Sequence, residues 1–261
     1  MAESQLLPSL LGPILAAMPR IGAAVTVAPL FPGSVFPAMV RATIVVSLSL
    51  HLYPYMAAHM PAGMPHFLWM ALIGKEVFIG ALLGLAVGTL IWAFESVGAM
   101  IDFQVGFSNA RVFDPFGANE TGPLAHLMTR LAITLFIVGG GLQVLASLLF
   151  ESFRLWPMLS FYPSTDRLAG FAGESVESFG ELVVKLAAPA VLLLAVVDLG
   201  FGLVGRVVTQ LNVFFFTMPI KAALAALMLT VYVSYLADVL AGRINGLETW
   251  LQHLDPFLQT R

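Results

Sequence analysis

Asp198 is the residue whose type and setting most invite chemistry, standing between the apolar runs Leu186 to Val197 and Leu199 to Gly205. A carboxylate at membrane depth is a functional candidate by default, because its charge is costly to bury. The chemistry it would offer is proton coupling, as in a secondary transporter with an intramembrane charged site. The competing expectation is a structural ion pair with Arg206, Lys185 or a polar group on a neighbouring protein, and it carries the greater weight. Lys75 and Glu76 also interrupt an apolar stretch, where they read as a helix end near water. The histidines His51, His59, His66, His126 and His253 stand apart from ligand spacing. No His-Glu-x-x-His helix, Gly-x-Ser-x-Gly elbow or Gly-x-x-x-x-Gly-Lys loop occurs, and there is no cysteine. The expectation is no catalytic residue, no cofactor and no metal: not an enzyme.

The elements that would carry these residues are apolar. The sequence is 59% hydrophobic and 10% charged, against roughly half and a quarter in soluble domains. So few ionisable groups cannot cover a water-soluble globule of this size without large apolar patches. The net charge of -3 comes with no basic block, which argues against nucleic acid as a partner. Charge-free runs cover Ile21 to Val40, Ala42 to Gly74, Val77 to Phe94, Leu131 to Phe150, Leu186 to Val197 and Ala222 to Ala237. Backbone in hydrocarbon must satisfy its own hydrogen bonds, so these runs predict six to eight helices.

Some stretches depart from simple spans. Pro8, Pro13, Pro19, Pro29, Pro32 and Pro37 predict broken helices at the start. The short run Val207 to Ile220 carries Gln210 and Asn212, whose polar groups need partners. Gly80, Gly84 and Gly88 clear a groove for helix packing. Tyr162 to Lys185 predicts an amphipathic helix with a Glu181 to Lys185 pair. Turn formers and charges concentrate in Ser108 to Pro123, which predicts a structured loop. Lysine and arginine are spread almost singly, so orientation is not readable from charge.

Gln210-Leu211-Asn212-Val213-Phe214 followed by Met218-Pro219-Ile220-Lys221 resembles the signature of the export-gate family that contains flagellar FliR and injectisome SctT. Further matches run in order: Arg20 with Ala28-Pro29 and Pro37, Gly98 to Gly106 leading into Asp114-Pro115, and Gly139-Gly140 ahead of Ser152 and Pro157. The resemblance covers nearly the whole chain. Gly139-Gly140-Gly141 and the Met-Pro-Ile-Lys ending look like the injectisome branch, which is favoured, whereas Gly106-Phe107 with Ser108 and Ala110 resembles flagellar members.

The resemblance implies an all-α, membrane-associated fold of bent and broken helical hairpins, a single domain over residues 1–261 packed in a hetero-oligomeric gate. It implies a single-copy subunit in the bacterial inner membrane, held partly above it within the secretion-system base. Two other small membrane subunits, SctR/FliP-like and SctS/FliQ-like, would be its partners, with larger gate components, a cytosolic ATPase and unfolded secreted proteins in transit. It also implies a pore plug at Ser108, Asn109, Arg111, Phe113, Asp114, Pro115, Phe116, Gly117 and Asn119. Motif and subunit contacts would fall at Gln210, Asn212, Phe214, Pro219 and Lys221.

Overall fold

A computed structural model of the chain describes residues 3–33, 35–59, 66–107, 122–160, 165–207 and 213–258. Among the described residues the fold is all-α, with eight helices and no strand. They are α1 (Glu3–Val27), α2 (Ala38–His51), α3 (Tyr53–His59), α4 (His66–Val105), α5 (Pro123–Val138), α6 (Gly141–Leu155), α7 (Thr165–Val207) and α8 (Val213–Leu258). Three apolar stretches are long enough to cross a membrane: Phe67–Val105, Val176–Val207 and Phe215–Leu247. The broken pair α5 and α6 would make a fourth if it counts as one span.

The start of the chain differs from expectation. Pro8, Pro13 and Pro19 all lie within the continuous helix α1. Each proline costs a backbone hydrogen bond, but the face carrying Ala16, Ala17, Ile21 and Ala24 is fully buried, and that packing outweighs the lost bonds. The chain breaks only after Val27, and Pro37 sits at the N-cap of α2. The predicted aqueous helix after Tyr162 is likewise the first part of α7 rather than a separate element. Its Lys185 donates to Glu181 at 2.5 Å, one turn apart as the spacing predicts.

The chain divides into two compact units. The first comprises residues 1–89, 140–171 and 244–261. There α1 packs on α2 and α3, and the buried side chains include Ile21, Leu72, Ile79, Leu148 and Phe153. The second comprises residues 90–139 and 172–243, with Phe94, Ile101, Met128, Phe136, Leu186 and Leu194 buried. The division falls inside α4, so that helix supplies its first part to one unit and its last turns to the other. In α4 61% of the most apolar window is buried, against 28% in α7 and 22% in α8. Most of the apolar surface of α7 and α8 is therefore open: Leu192, Val196, Leu199, Leu203, Leu227 and Val231 are all exposed.

Candidate functional site

Two polar clusters lie in these apolar surroundings, one in each unit. In the first, Arg20 of α1 is fully buried. Its Nε donates to Glu76 Oε2 at 2.6 Å and one terminal nitrogen to Glu76 Oε1 at 3.0 Å, the bidentate geometry that suits a guanidinium. It also donates to Ser152 Oγ at 3.0 Å and to the Trp156 carbonyl at 2.9 Å, and it stands 4.0 Å over the Phe153 ring. Lys75, beside Glu76, lies 3.0 Å from its carboxylate and donates to the carbonyls of Pro157, Met158 and Ser160 at 3.1, 2.6 and 3.1 Å. Carbonyls of the turn that follows α6, at Trp156, Pro157, Met158 and Ser160, thus end on two cations.

Lys75 and Glu76 accordingly mark no helix end near water. They lie inside α4, and Glu76 is fully buried. The sequence signal for the pair is the lone Arg20 in an apolar helix, which requires an acid from elsewhere. Which acid answers it depends on a contact 56 residues away, beyond the reach of helical spacing.

The approach of α1 to α4 is fixed by glycine. A Cβ at Gly80 would collide with the Arg20 backbone, lying 2.8 Å from its carbonyl carbon, and one at Gly84 would stand 2.6 Å from the Ala24 carbonyl oxygen. Gly88 is buried on the same helix. The two backbones meet at these positions, which brings Arg20 within reach of Glu76.

In the second unit, Asp198 of α7 pairs with Lys221 of α8 at 2.8 Å and accepts from Gln104 Nε2 of α4 at 3.1 Å. Its partner is therefore neither Arg206 nor Lys185, because Lys221 is the cation that α8 brings to it. Lys221 Nζ also donates to the Gln104 carbonyl at 2.5 Å. Nearby, Asp102 of α4 accepts from the backbone N–H of Leu124 at 3.1 Å and of Ala125 at 2.9 Å, satisfying the free donors at the start of α5. Gly98 lets α4 and α5 close, since a Cβ there would lie 2.5 Å from Ala125 Cα. Replacing Asp102 with alanine removes both bonds and should cost about 0.5 to 2 kcal/mol. Thermal unfolding in detergent measures this, and an unchanged midpoint for Asp102→Ala would refute it.

Among the described residues no cluster of histidine, aspartate or glutamate has the makings of a metal site. Within the two clusters the charged groups are paired with one another and with backbone carbonyls, which suits a scaffold within an apolar medium.

Comparison with known proteins fits such a scaffold. The family model described as bacterial export proteins, family 1, matches residues 11–247. Yop proteins translocation protein T of Yersinia pestis is 35% identical over 195 residues, covering 74% of this chain and 75% of that protein. The chain belongs to this export family. The FliR/SctT family is represented on its flagellar side by flagellar biosynthetic protein FliR of Bacillus subtilis, 32% identical over 168 residues, 64% of this chain and 65% of that one. Secretion system apparatus protein SsaT of Salmonella typhimurium is 26% identical over 205 residues, with 78% and 79% covered.

Several residues that carry the FliR/SctT resemblance hold the two clusters together. Arg20, Ser152 and Pro157 belong to the first, Lys221 to the second, and Gly98 to the α4 and α5 contact. Gly139 ends α5, and Gly140, with φ of 81°, precedes α6, a break that favours glycine. Pro219 is exposed in the second turn of α8. Phe214 lies in the first turn of that helix. Gln210 and Asn212 fall outside the described residues, as do Ser108, Asn109, Arg111, Phe113, Asp114, Pro115, Phe116, Gly117 and Asn119.

Proposed function

We propose that this chain is a single-copy subunit of the inner-membrane export gate of a bacterial type III secretion system of the injectisome branch. There it helps to form and to close the channel for unfolded secreted proteins. The observation that carries this reading is the family match across residues 11–247, and the relatives named for translocation and secretion point the same way. The open apolar faces of α7 and α8 support a chain that shares its surface with lipid and with other subunits. Two small membrane proteins, SctR/FliP-like and SctS/FliQ-like, are the partners in this reading, and larger gate and ATPase components lie beyond them. The segment from Ser108 to Asn119 closes the pore, and Gln210, Asn212, Phe214, Pro219 and Lys221 stand near subunit contacts. Pairing of Asp198 with Lys221 and Gln104 supports a structural role for the carboxylate, and the alternative is a secondary transporter with an intramembrane charged site, which purification as an active monomer or homo-oligomer would favour.

The test is composition. Purification in mild detergent followed by intact-complex mass spectrometry should give one copy of this chain with several copies of two different small membrane proteins. Recovery as an active monomer or homo-oligomer would overturn the proposal. Closure is tested by shortening the chain across 113–119, which should leave assembly intact and make the closed complex leak small ions.

A further inference from the structure

Among the described residues, every carboxylate that is buried or partly buried has a partner in the chain except one. Glu76 holds Arg20 and Lys75, Asp102 accepts from the start of α5, Glu151 pairs with Arg154 and Asp198 with Lys221. Glu95 of α4 is partly buried, yet it has neither a hydrogen bond nor an ion pair among the described residues. The described cations of its unit do not answer it. Lys221 is taken by Asp198, Lys185 and Arg243 by Glu181, and Arg130 and Arg206 stand exposed without an ion pair. Glu95 nevertheless lies inside the apolar stretch Phe67–Val105, where a carboxylate without a counter-charge is costly.

The position of Glu95 on α4 says where its partner must come from. Residues three and four apart share a helix face, so Glu95 stands on the edge between two faces. On one side are Ile91 and Gly98, both buried, and Gly98 is where the backbone of α5 closes in. On the other side Trp92, Ser96, Ala99 and Phe103 form a stripe that nothing in the unit covers: Trp92 and Ser96 are partly exposed, Ala99 and Phe103 exposed. Ala99, one turn beyond Glu95, is too short to screen it. Lipid tails on this stripe would suit the rings of Trp92 and Phe103 but leave the carboxylate unanswered. A protein helix that carries one cation satisfies both.

We infer that Glu95 is the docking point for a neighbouring subunit, whose helix lies along the Trp92 to Phe103 stripe and brings a lysine or arginine to the carboxylate. The inference rests on the reading of this chain as one subunit of a hetero-oligomeric gate, and it names the chemistry by which one neighbour is held. A single ion pair in an otherwise apolar contact also fixes register, because a neighbour that slides along α4 strands two charges at once. The two glutamates of α4 thus divide their work: Glu76 serves the fold of the chain, and Glu95 its assembly.

The test combines cross-linking with charge exchange in the full complex. Photoreactive benzoylphenylalanine in place of Trp92, irradiated in membranes, should give an adduct with a different membrane protein. Mass spectrometry of the adduct should find a lysine or arginine within about two helical turns of the linked residue. Glu95→Gln and Glu95→Leu should leave the amount of chain in the membrane and its unfolding midpoint in detergent unchanged, yet lower recovery of the complex about tenfold or more. Glu95→Lys should lower it further, and exchanging the identified cation of the neighbour for glutamate should then restore assembly. Wild-type recovery for both Glu95→Gln and Glu95→Leu overturns the docking point, while the gate reading stands as long as the wild-type chain still purifies with other membrane proteins. If the wild-type chain purifies without them, the gate reading fails and the docking point falls with it. An adduct within this chain, with a second copy of it or with lipid alone also overturns the inference. So does a lowered unfolding midpoint for Glu95→Gln, which would show that the carboxylate serves the fold.

Discussion

Glu76→Leu should lower the stability of the protein by about 3 to 5 kcal/mol, the cost of removing one partner from a buried ion pair. Arg20 would keep its place among Ser152, Phe153 and the Trp156 carbonyl but lose two charge-assisted bonds, and Lys75 would lose the carboxylate it pairs with. The expected readouts are a lower unfolding midpoint in detergent and a loss of complex from membranes. Combining Glu76→Leu with Arg20→Met should recover much of the loss, because the double change leaves no stranded charge beside Glu76 except Lys75, which still has its three carbonyls. Wild-type stability for Glu76→Leu alone would mean that water or lipid headgroups reach Arg20, contrary to its burial.

Gly80→Leu should be at least as damaging. Overpacking a core commonly costs about 1 to 3 kcal/mol and occasionally more, and the obstacle here is the Arg20 backbone rather than a side chain that can rotate away. Moving α1 off α4 would also pull the guanidinium from Glu76, so the variant should lose both the close approach and the ion pair. Gly74→Ala is the control in the same helix, since a Cβ there meets nothing within 4 Å. Complex yield and secretion should fall for Gly80→Leu and hold for Gly74→Ala. Normal secretion by Gly80→Leu would show that α1 does not sit against α4 in the working protein.

The all-helical fold was legible because apolar runs of this length admit few other ways to satisfy backbone in hydrocarbon. Family membership was legible from Gln210 to Lys221 and from the ordered matches before it. What escaped was pairing. Lys75 and Glu76 are adjacent charges in an apolar run, and nothing local distinguishes a helix end from half of a buried cluster whose other half is Arg20. Asp198 was read as a residue needing a cation, but Arg206 and Lys185 are merely near in sequence, whereas Lys221 arrives on another helix. The prolines of α1 misled for a related reason: local propensity counts the lost hydrogen bond, and only the folded unit supplies the buried face that repays it.

The length of α4 bears on what can surround it. Its apolar stretch Phe67–Val105 has 39 residues and, rising about 1.5 Å per residue, extends about 58 Å. A bilayer offers roughly 30 Å of hydrocarbon. To hide the whole stretch in lipid the helix would have to tilt about 60° from the membrane normal, well beyond the range of about 0 to 40° that spanning helices adopt. Hydrophobic mismatch on this scale cannot be absorbed by lipid adjustment. Wherever α4 sits relative to the bilayer, about a third to a half of its oily length must find its solvent in protein.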